Sequence, residues 1–379
     1  MLPDAGSFLE TYLEMVKGPA FFQMGVPATE TFPATLLARI RANATRAEAS
    51  APPLYPDPRG ELELRREIAA YLAVARGINC SPSQVIITRG FGAGLGLTLN
   101  VLGLGGHKAW VENPSFPWST KGLELAGLAV APIPVDAAGM DVNHGLRDHP
   151  GAKLVLVTPG QQAPLGATLS LERRLRLLDW ASSEKVWVIE DDYLSELQLA
   201  GRAAPALASL DRAGRVIHIG SFSKTISPTL RLGFVVAPAA LASRFAEVAA
   251  CLMPAPGPSV QLATAEFMHE GHYLRHLRRT KRAYAAKRQA LLDCLVPHVG
   301  ADRLAAPGLA VLLKLPNGIR DLSVARQAMM YGMSPSPLSA WYLPPGRAES
   351  GLLLGVATAP TKSLPRVCER LLEIIRRAG

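Results

Sequence analysis

Short runs of apolar, β-branched residues alternate along most of the chain with longer stretches whose apolar residues recur every three or four positions. Six runs predict strands that are apolar on both faces: 85–88, 109–112, 154–158, 186–190, 216–220 and 232–236. Strands of this kind are covered by helices on both sides of a parallel sheet. The stretches between them, such as 61–75, 92–102 and 171–182, predict helices. The alternation therefore predicts an α/β domain with a mostly parallel sheet.

The pattern changes near residue 290. A helical stretch there is followed by strand-like runs at 310–314 and 351–357, and a closing helix follows Pro365. This order predicts a smaller α+β domain. We therefore expect three segments: an N-terminal arm with part of the small domain (1–50), a large domain (51–285) and a C-terminal small domain (286–379).

The composition fits a globular protein. The chain has 379 residues, of which 49% are hydrophobic and 19% charged, and this excludes global disorder. No apolar run approaches the roughly 18 residues of a membrane span, and no secretory signal is visible at the start. The four cysteines are far apart and form no CxxC pair: Cys80, Cys251, Cys294 and Cys368. We expect a cytoplasmic protein with reduced thiols, no disulfide framework and no metal site.

The net charge of +9 is concentrated on one segment. Residues 271–290 contain no acid and seven basic residues: Arg275, Arg278, Arg279, Lys281, Arg282, Lys287 and Arg288. The segment is interpreted as a solvated helix face, with Leu274, Leu277 and Tyr284 buried. A phosphate-binding stripe is the alternative.

Segment 221–233 (SFSKTISPTLRLG) is the sharpest chemical feature, because it directly follows a predicted strand. A lysine among small hydroxyl residues at the end of a buried strand is suited to Schiff-base chemistry, since burial lowers its pKa. Arg231, seven residues after Lys224, is placed to return and bind an anion. From this segment alone, a solvated loop lysine stays an alternative.

Two further motifs lie at predicted strand ends. The strand at 186–190 runs into acids at Glu190, Asp191 and Asp192, where α/β sheets bind ligands; a helix cap or a metal site is the alternative. The glycine-rich turn 88–94 (TRGFGAG) can present backbone N–H groups to a phosphate at a helix N-terminus. A plain tight turn is the alternative there.

Together these motifs resemble fold-type I pyridoxal-5′-phosphate (PLP) enzymes, and specifically the aminotransferase domain of MocR-type, GntR-class regulators. The resemblance covers about residues 20–379. It is carried by motifs in one order: 55–60 (YPDPRG) with Leu64 and Arg65, 112–116 (ENPSF), 158–166, 190–193 (EDDY) with Glu196, 221–224 (SFSK), and 276–279 (HLRR) with Tyr284. It implies a large PLP-binding domain with a mostly parallel seven-stranded sheet between helices, plus a smaller α+β domain.

The resemblance also implies residue roles. Lys224 would form the Schiff base with PLP and then carry the Cα proton as general acid and base. Asp191 would pair with the ring nitrogen, Tyr193 would hydrogen-bond the phenolic oxygen, and Phe116 would stack on the ring. The phosphate would be held by Gly90, Phe91, Gly92, Ser221, Ser223 and Arg231. Tyr55 would reach the phosphate of a neighbouring subunit, which implies a homodimer with shared active sites.

The chain also departs from the pattern of its relatives. They usually read SHQYPTG at 160–166, where this chain has GQQAPLG, so that Gln161 replaces histidine and Ala163 replaces a polar residue near the phenolic oxygen. Many aminotransferases bind the substrate carboxylate with an arginine whose nearest position here is Leu353. Arg89 and Arg347 are the possible substitutes.

Three functions stay open at this point. The first is a PLP-dependent aminotransferase that acts on an amino acid or another primary amine and a 2-oxo acid. The second is a PLP-binding sensor without turnover, and the third is another PLP reaction such as racemisation, decarboxylation or elimination. Because only about twenty residues precede the matching region, we expect no winged-helix domain and no sequence-specific binding of nucleic acid.

Overall fold

A computed structural model of the chain describes residues 20–199, 201, 203–344 and 348–378. These fall into two compact units. The larger contains residues 29–282 and 341–344, and the smaller contains residues 20–28, 283–340 and 348–378. The predicted domain boundaries stay a prediction.

An eight-stranded sheet forms the centre of the larger unit, and all six predicted strands are part of it. Its strands are β1 (Val85–Thr88), β2 (Lys108–Asn113), β3 (Ala129–Asp136), β4 (Gly139–Met140), β5 (Leu154–Val157), β6 (Trp187–Asp192), β7 (Val216–Ser221) and β8 (Gly233–Val236). The spatial order is β1-β8-β7-β6-β5-β2-β3-β4. Strands β2, β3, β5, β6 and β7 pair in parallel, while β8 is antiparallel to both its neighbours. The fold class predicted from the sequence is confirmed.

The sheet has one strand more than the seven expected, because the two-residue β4 turns back on the end of β3. Strand β3 is absent from the pattern-based prediction. Its sequence AVAPIPVD contains Pro132 and Pro134, which cannot donate ladder hydrogen bonds and interrupt the apolar run. Prolines are tolerated there because β3 pairs with β2 along its length but with β4 only at its end.

Helices cover both faces of this sheet. The helices of the larger unit are α1 (Ala34–Ser50), α2 (Leu62–Arg76), α3 (Phe91–Leu102), α4 (Pro117–Leu125), α5 (Val142–Asp148), α6 (Leu171–Ser183), α7 (Ala242–Leu252) and α8 (Pro258–His269). One buried cluster joins the sheet to α3 and α7, and a second joins its other face to α5 and α6. Burial on both faces explains why the strands are apolar throughout.

The basic segment lies in helix α9 (His272–Val299), which continues into the smaller unit. Leu277 and Tyr284 are buried as expected, but Leu274 is 45% exposed. The inner face of α9 is instead formed by Tyr273, His276 and Leu277, which are spaced for one side of a helix.

The smaller unit contains a four-stranded sheet and two further helices. Its strands are β9 (Leu304–Ala305), β10 (Ala310–Lys314), β11 (Ser336–Pro337) and β12 (Gly351–Gly355), in the order β11-β12-β10-β9, and its helices are α10 (Asp321–Met329) and α11 (Leu364–Ala378). Buried Asp321 accepts hydrogen bonds from Ser339 and from the backbone N–H of Gly351. One carboxylate therefore ties the start of α10 to the start of β12.

Across the described part of the chain, no helix is both long enough and apolar enough to span a bilayer.

Candidate active site

The sheet register brings the ends of three strands together. Gly233, the first residue of β8, pairs with Thr88 at the end of β1 and with Ser221 at the end of β7. Asp192 at the end of β6 pairs with Gly220. The glycine turn, the acidic motif and the Lys224 segment therefore leave the sheet at a common edge, where α/β sheets bind ligands.

Lys224 and Asp191 are neighbours at this edge, where Asp191 is buried and Lys224 is half-buried. Burial lowers the pKa of Lys224, and the charge of Asp191 partly opposes that shift. Asp191 is only 8% exposed, and burial together with the charges of Asp192 and Glu112 raises its pKa well above the ordinary value, against the effect of Lys224. A lysine with a lowered pKa carries more unprotonated amine at neutral pH, so it can act as a nucleophile.

The two acids beside Asp191 have partners of their own on the opposite face of the strand. Asp192 accepts a 2.7 Å hydrogen bond from Nε of Arg76, and both side chains are buried. Glu190 accepts from the backbone N–H groups of Leu207 and Ala208 and contacts Nδ1 of His218 at 3.1 Å. These contacts give two of the three acids, Glu190 and Asp192, a structural role inside the chain.

The two alternatives for the acidic motif, a helix cap and a metal site, do not account for Asp191. Asp192 does also accept from the backbone N–H of Ser195, which begins a short 3₁₀ turn. No group of three or more His, Cys, Asp or Glu in the described residues is arranged to hold a metal ion.

Tyr193 follows the acids directly. Burial raises the pKa of its phenol, and Asp191 raises it further, so the phenol is protonated and can donate a hydrogen bond.

A cradle for an anion is formed where α3 begins. Gly90 caps this helix with φ of +84°, and Phe91 and Gly92 open its first turn, whose N–H groups have no partner within the helix. A Cβ atom at Gly90 would lie 3.9 Å from the guanidinium carbon of Arg231. A Cβ at Gly92 would meet nothing within 4 Å. The dipole of α3, the N–H groups of its first turn and the guanidinium of Arg231 thus all face the same anion site.

The connection between β7 and β8 carries Lys224 and Arg231 together. The backbone N–H of Phe222 donates to the carbonyl of Leu232 at 3.1 Å, which closes the connection at its base. Ser221 and Ser223 are joined side chain to side chain at 3.1 Å beside it. Arg231 has a left-handed backbone, with φ of +47°, which is uncommon for a residue other than glycine.

Phe116 lies at the start of helix α4 and is 37% exposed. Its ring centroid is 5.8 Å from that of Trp341, and the backbone N–H of Ser115 donates to the carbonyl of Trp341. Leu343 and Asn113 exchange hydrogen bonds as well. Segment 341–344 was missed from the sequence because it is more than 200 residues away from α4 along the chain.

The altered segment 160–166 is held by a second buried network. Gln162 donates from Nε2 to the carbonyls of Pro114 and Ala163, both at 2.7 Å, and accepts from the N–H of Leu165. Thr158 donates to the buried carboxyl of Glu112 and accepts from the N–H of Ala163. Burial raises the pKa of Glu112 to about 7, against the hydrogen bonds that it receives. Ala163 is thus fixed in place, but it supplies no polar side-chain atom.

The remaining predicted residues differ in their exposure. Tyr55 is fully exposed in the single chain. Arg89 is exposed as well. Leu353 is fully buried in β12 of the smaller unit. Arg347 lies outside the described residues.

The comparisons with known proteins concern the fold and the family. The α/β sheet has the fold-type I architecture of PLP-dependent aminotransferases. A solved archaeal alanine:glyoxylate aminotransferase is 25% identical, with a TM-score of 0.87 over 98% of this chain and 94% of that one. The α-aminoadipate aminotransferase LysN of Thermus thermophilus is 27% identical, with a TM-score of 0.84 over 97% of this chain and 95% of that one.

The chain belongs to the aminotransferase class I and II family, whose model matches residues 22–329. Among curated proteins it is similar to the probable rhizopine catabolism regulatory protein MocR of Rhizobium meliloti, with 34% identity over 90% of this chain and 70% of that protein. The MocR-like resemblance is confirmed. The chain spans between 46% and 73% of the length of such curated regulators.

These findings also bear on the cofactor. The LysN structure contains N-(5′-phosphopyridoxyl)-L-leucine. Together with the family match, it supports PLP as the cofactor predicted from the sequence.

The residues of this chain fit that group. A half-buried lysine with a lowered pKa suits its aldehyde, and a buried carboxyl suits its ring nitrogen. The open glycine turn beside Arg231 suits its phosphate.

Proposed function

We propose that the chain is a PLP-dependent aminotransferase, which moves an amino group between an amino acid or other primary amine and a 2-oxo acid. The observation that carries the proposal is the juxtaposition of half-buried Lys224 and buried Asp191 beside the anion cradle. When bound, PLP supplies an aldehyde and an electron-withdrawing ring, which together stabilise negative charge at the substrate Cα.

Each residue has a separate task in this proposal. Lys224 binds the cofactor covalently through its amine and later moves the proton at the substrate Cα. Asp191 stabilises a proton on the ring nitrogen, because a buried carboxylate favours an opposite charge beside it. Tyr193 donates to the phenolic oxygen and Phe116 covers the ring.

The phosphate is bound by Gly90, Phe91, Gly92, Ser221, Ser223 and Arg231. Of these, Arg231 offers a paired set of donors, and the backbone at Gly90–Gly92 offers the N–H groups of the first turn of α3, which begins at Gly90 with φ of +84°.

Substrate recognition and assembly complete the proposal. With Leu353 apolar and buried, Arg89 and Arg347 are the proposed ligands of a substrate carboxylate. We also propose a homodimer in which Tyr55, fully exposed in the single chain, contacts the phosphate in the neighbouring subunit. We propose no sequence-specific recognition of nucleic acid by this chain, and retardation of one duplex over others at physiological salt would contradict this.

The test is the visible absorption of the purified chain with PLP, followed by addition of a panel of amines and then of 2-oxo acids. We expect a visible band that Lys224→Ala abolishes, and that the exposed-lysine control Lys362→Ala retains. An aminotransferase requires that one amine bleaches the band and a 2-oxo acid restores it. Absence of any band in the unmodified chain would refute the proposal.

A second function is favoured by one observation: the similar curated proteins include transcriptional regulators. In this alternative the chain binds PLP as a sensor without turnover. A band that forms but that no amine bleaches would favour the sensor, while sustained multiple turnover would exclude it.

A further inference from the structure

The 276–279 motif of helix α9 contributed to the family resemblance but has no task in the proposed function. His276 lies on the buried side of α9 and is 5% exposed. Its Nε2 atom lies 2.7 Å from the carbonyl oxygen of Thr225, the residue immediately after Lys224. Because a carbonyl can only accept, Nε2 carries the proton and donates.

The Thr225 carbonyl needs a donor from outside its own segment. Residues 222–226 form a single helical turn around Lys224, closed by a 2.8 Å hydrogen bond from the N–H of Ile226 to the carbonyl of Phe222. Continuing the helix would require the N–H of Thr229 to reach the Thr225 carbonyl. That N–H donates instead to the Ser227 side chain. His276 therefore supplies the hydrogen bond that the ended turn cannot supply.

Helix α9 also holds the turn by packing. The Tyr273 ring, one turn before His276, contacts the Phe222 ring edge-on, with centroids 5.9 Å apart. The imidazole of His276 is itself packed 6.2 Å from the ring of Phe267, which is fully buried. The direction of the imidazole is thus fixed by Phe267 of α8 on one side and by the Thr225 carbonyl on the other.

We propose that His276 is a positioning residue for Lys224: by donating to the Thr225 carbonyl, it holds the turn so that the lysine amine faces the cofactor site. This inference rests on the proposed function. It concerns the step in which the Lys224 amine forms a C=N bond to the cofactor in place of the aldehyde C=O bond, with release of one water.

The experiment separates covalent attachment from binding of the phosphate. His276→Phe and His276→Met cannot donate, His276→Gln retains an amide donor near the same position, and Arg282→Met is the matched control. Arg282 is an exposed residue of the same helix and donates to the carbonyl of Arg278 within that helix. For each variant, attachment of PLP is followed by the visible band and by borohydride reduction with peptide mass spectrometry at Lys224. Affinity is measured with 4′-deoxypyridoxine 5′-phosphate, which has no aldehyde.

We expect His276→Phe and His276→Met to attach PLP about tenfold more slowly while binding the aldehyde-free analogue normally, because a small displacement of a reacting group is costly. His276→Gln should recover most of the rate, and Arg282→Met should resemble the unmodified chain. Equal loss of attachment and analogue affinity, or unchanged attachment in both donor-free variants, would overturn the inference. Failure of the unmodified chain to attach PLP would refute the proposed function as well.

Discussion

The two faces of strand β6 both carry buried carboxylates, but the partners of these carboxylates differ. On one face of β6, Glu190 and Asp192 are buried and neutralised within the chain by His218 and Arg76. On the other face Asp191 is equally buried, but no hydrogen-bond donor to it is found among the described residues, and its main favourable partner is the charge of Lys224. Adjacent acids of the same type are thus distinguished by their partners, and only Asp191 is left available to a ligand.

The largest expected effect is on the face of Asp191. Asp191→Asn keeps the shape of the side chain but removes the negative charge proposed to stabilise the ring nitrogen. We expect kcat/KM for the best donor to fall roughly a thousandfold, equivalent to about 4 kcal/mol. The free energy of unfolding should not fall, because burial penalises the Asp191 carboxylate more than the charge of Lys224 stabilises it, and the isosteric amide carries no charge. Urea titration beside the kinetic assay checks both, and a loss of stability would contradict the distinction between the two faces.

The opposite result is expected on the other face. Asp192→Asn leaves the buried guanidinium of Arg76 without its counter-charge, so the free energy of unfolding should fall by about 3–5 kcal/mol. Affinity for the aldehyde-free analogue should be retained in the folded fraction. The double variant Arg76→Met/Asp192→Leu should recover much of the stability, because both charges are then absent. If Asp192→Asn were as stable as the unmodified chain but inactive, Asp192 would have a role at the cofactor site like that of Asp191, and the distinction between the two faces would be wrong.

Glu112 is a third kind of buried carboxyl, and its effect on the free energy of unfolding should depend on pH. Its pKa is raised by burial from 4.5 to about 7, so the folded state binds the proton more tightly than the unfolded state does. Stability from this group is complete below about pH 4.5 and is lost as the pH rises to about 7, by up to about 3 kcal/mol. The isosteric Glu112→Gln should therefore gain stability relative to the unmodified chain at pH 8 but not at pH 4.5. Equal urea midpoint differences at the two pH values would contradict this.

The smallest effect is expected from the His218–Glu190 pair. Burial by itself lowers the pKa of His218, but the hydrogen bond and charge of Glu190 outweigh it, and the net shift is upward. The pair is therefore most stabilising between about pH 4.5 and 6.5. The contribution of His218 is lost as the pH rises through its raised pKa, and that of Glu190, whose pKa is lowered, is lost as the pH falls. His218→Asn, a neutral donor, should lose about 1 kcal/mol more at pH 6 than at pH 9. A pH-independent difference in thermal or urea unfolding would contradict the assignment.

Local patterns were sufficient for much of this fold. The strands at 85–88, 154–157 and 216–221 were predicted because burial on both faces leaves a continuous apolar run. Strand β3 was missed because its two prolines interrupt the apolar run. They are tolerated because β3 pairs with β4 only at its end. The exposure of Leu274 was also missed, because a helical period does not by itself fix which face is buried.

The sequence by itself determined the α/β class, the position of Lys224 after a buried strand, and the glycine turn, because each follows from short-range periodicity and residue chemistry. The resemblance assigned the ring nitrogen to Asp191, but only the tertiary structure shows which groups neutralise the two acids beside it, since Arg76 is 116 residues from Asp192 along the chain. The tertiary structure also decided that Trp341 lies beside Phe116 and that His276 donates to the turn of Lys224. A buried polar group takes its partner from whatever element the fold packs against it, and no local pattern specifies that neighbour.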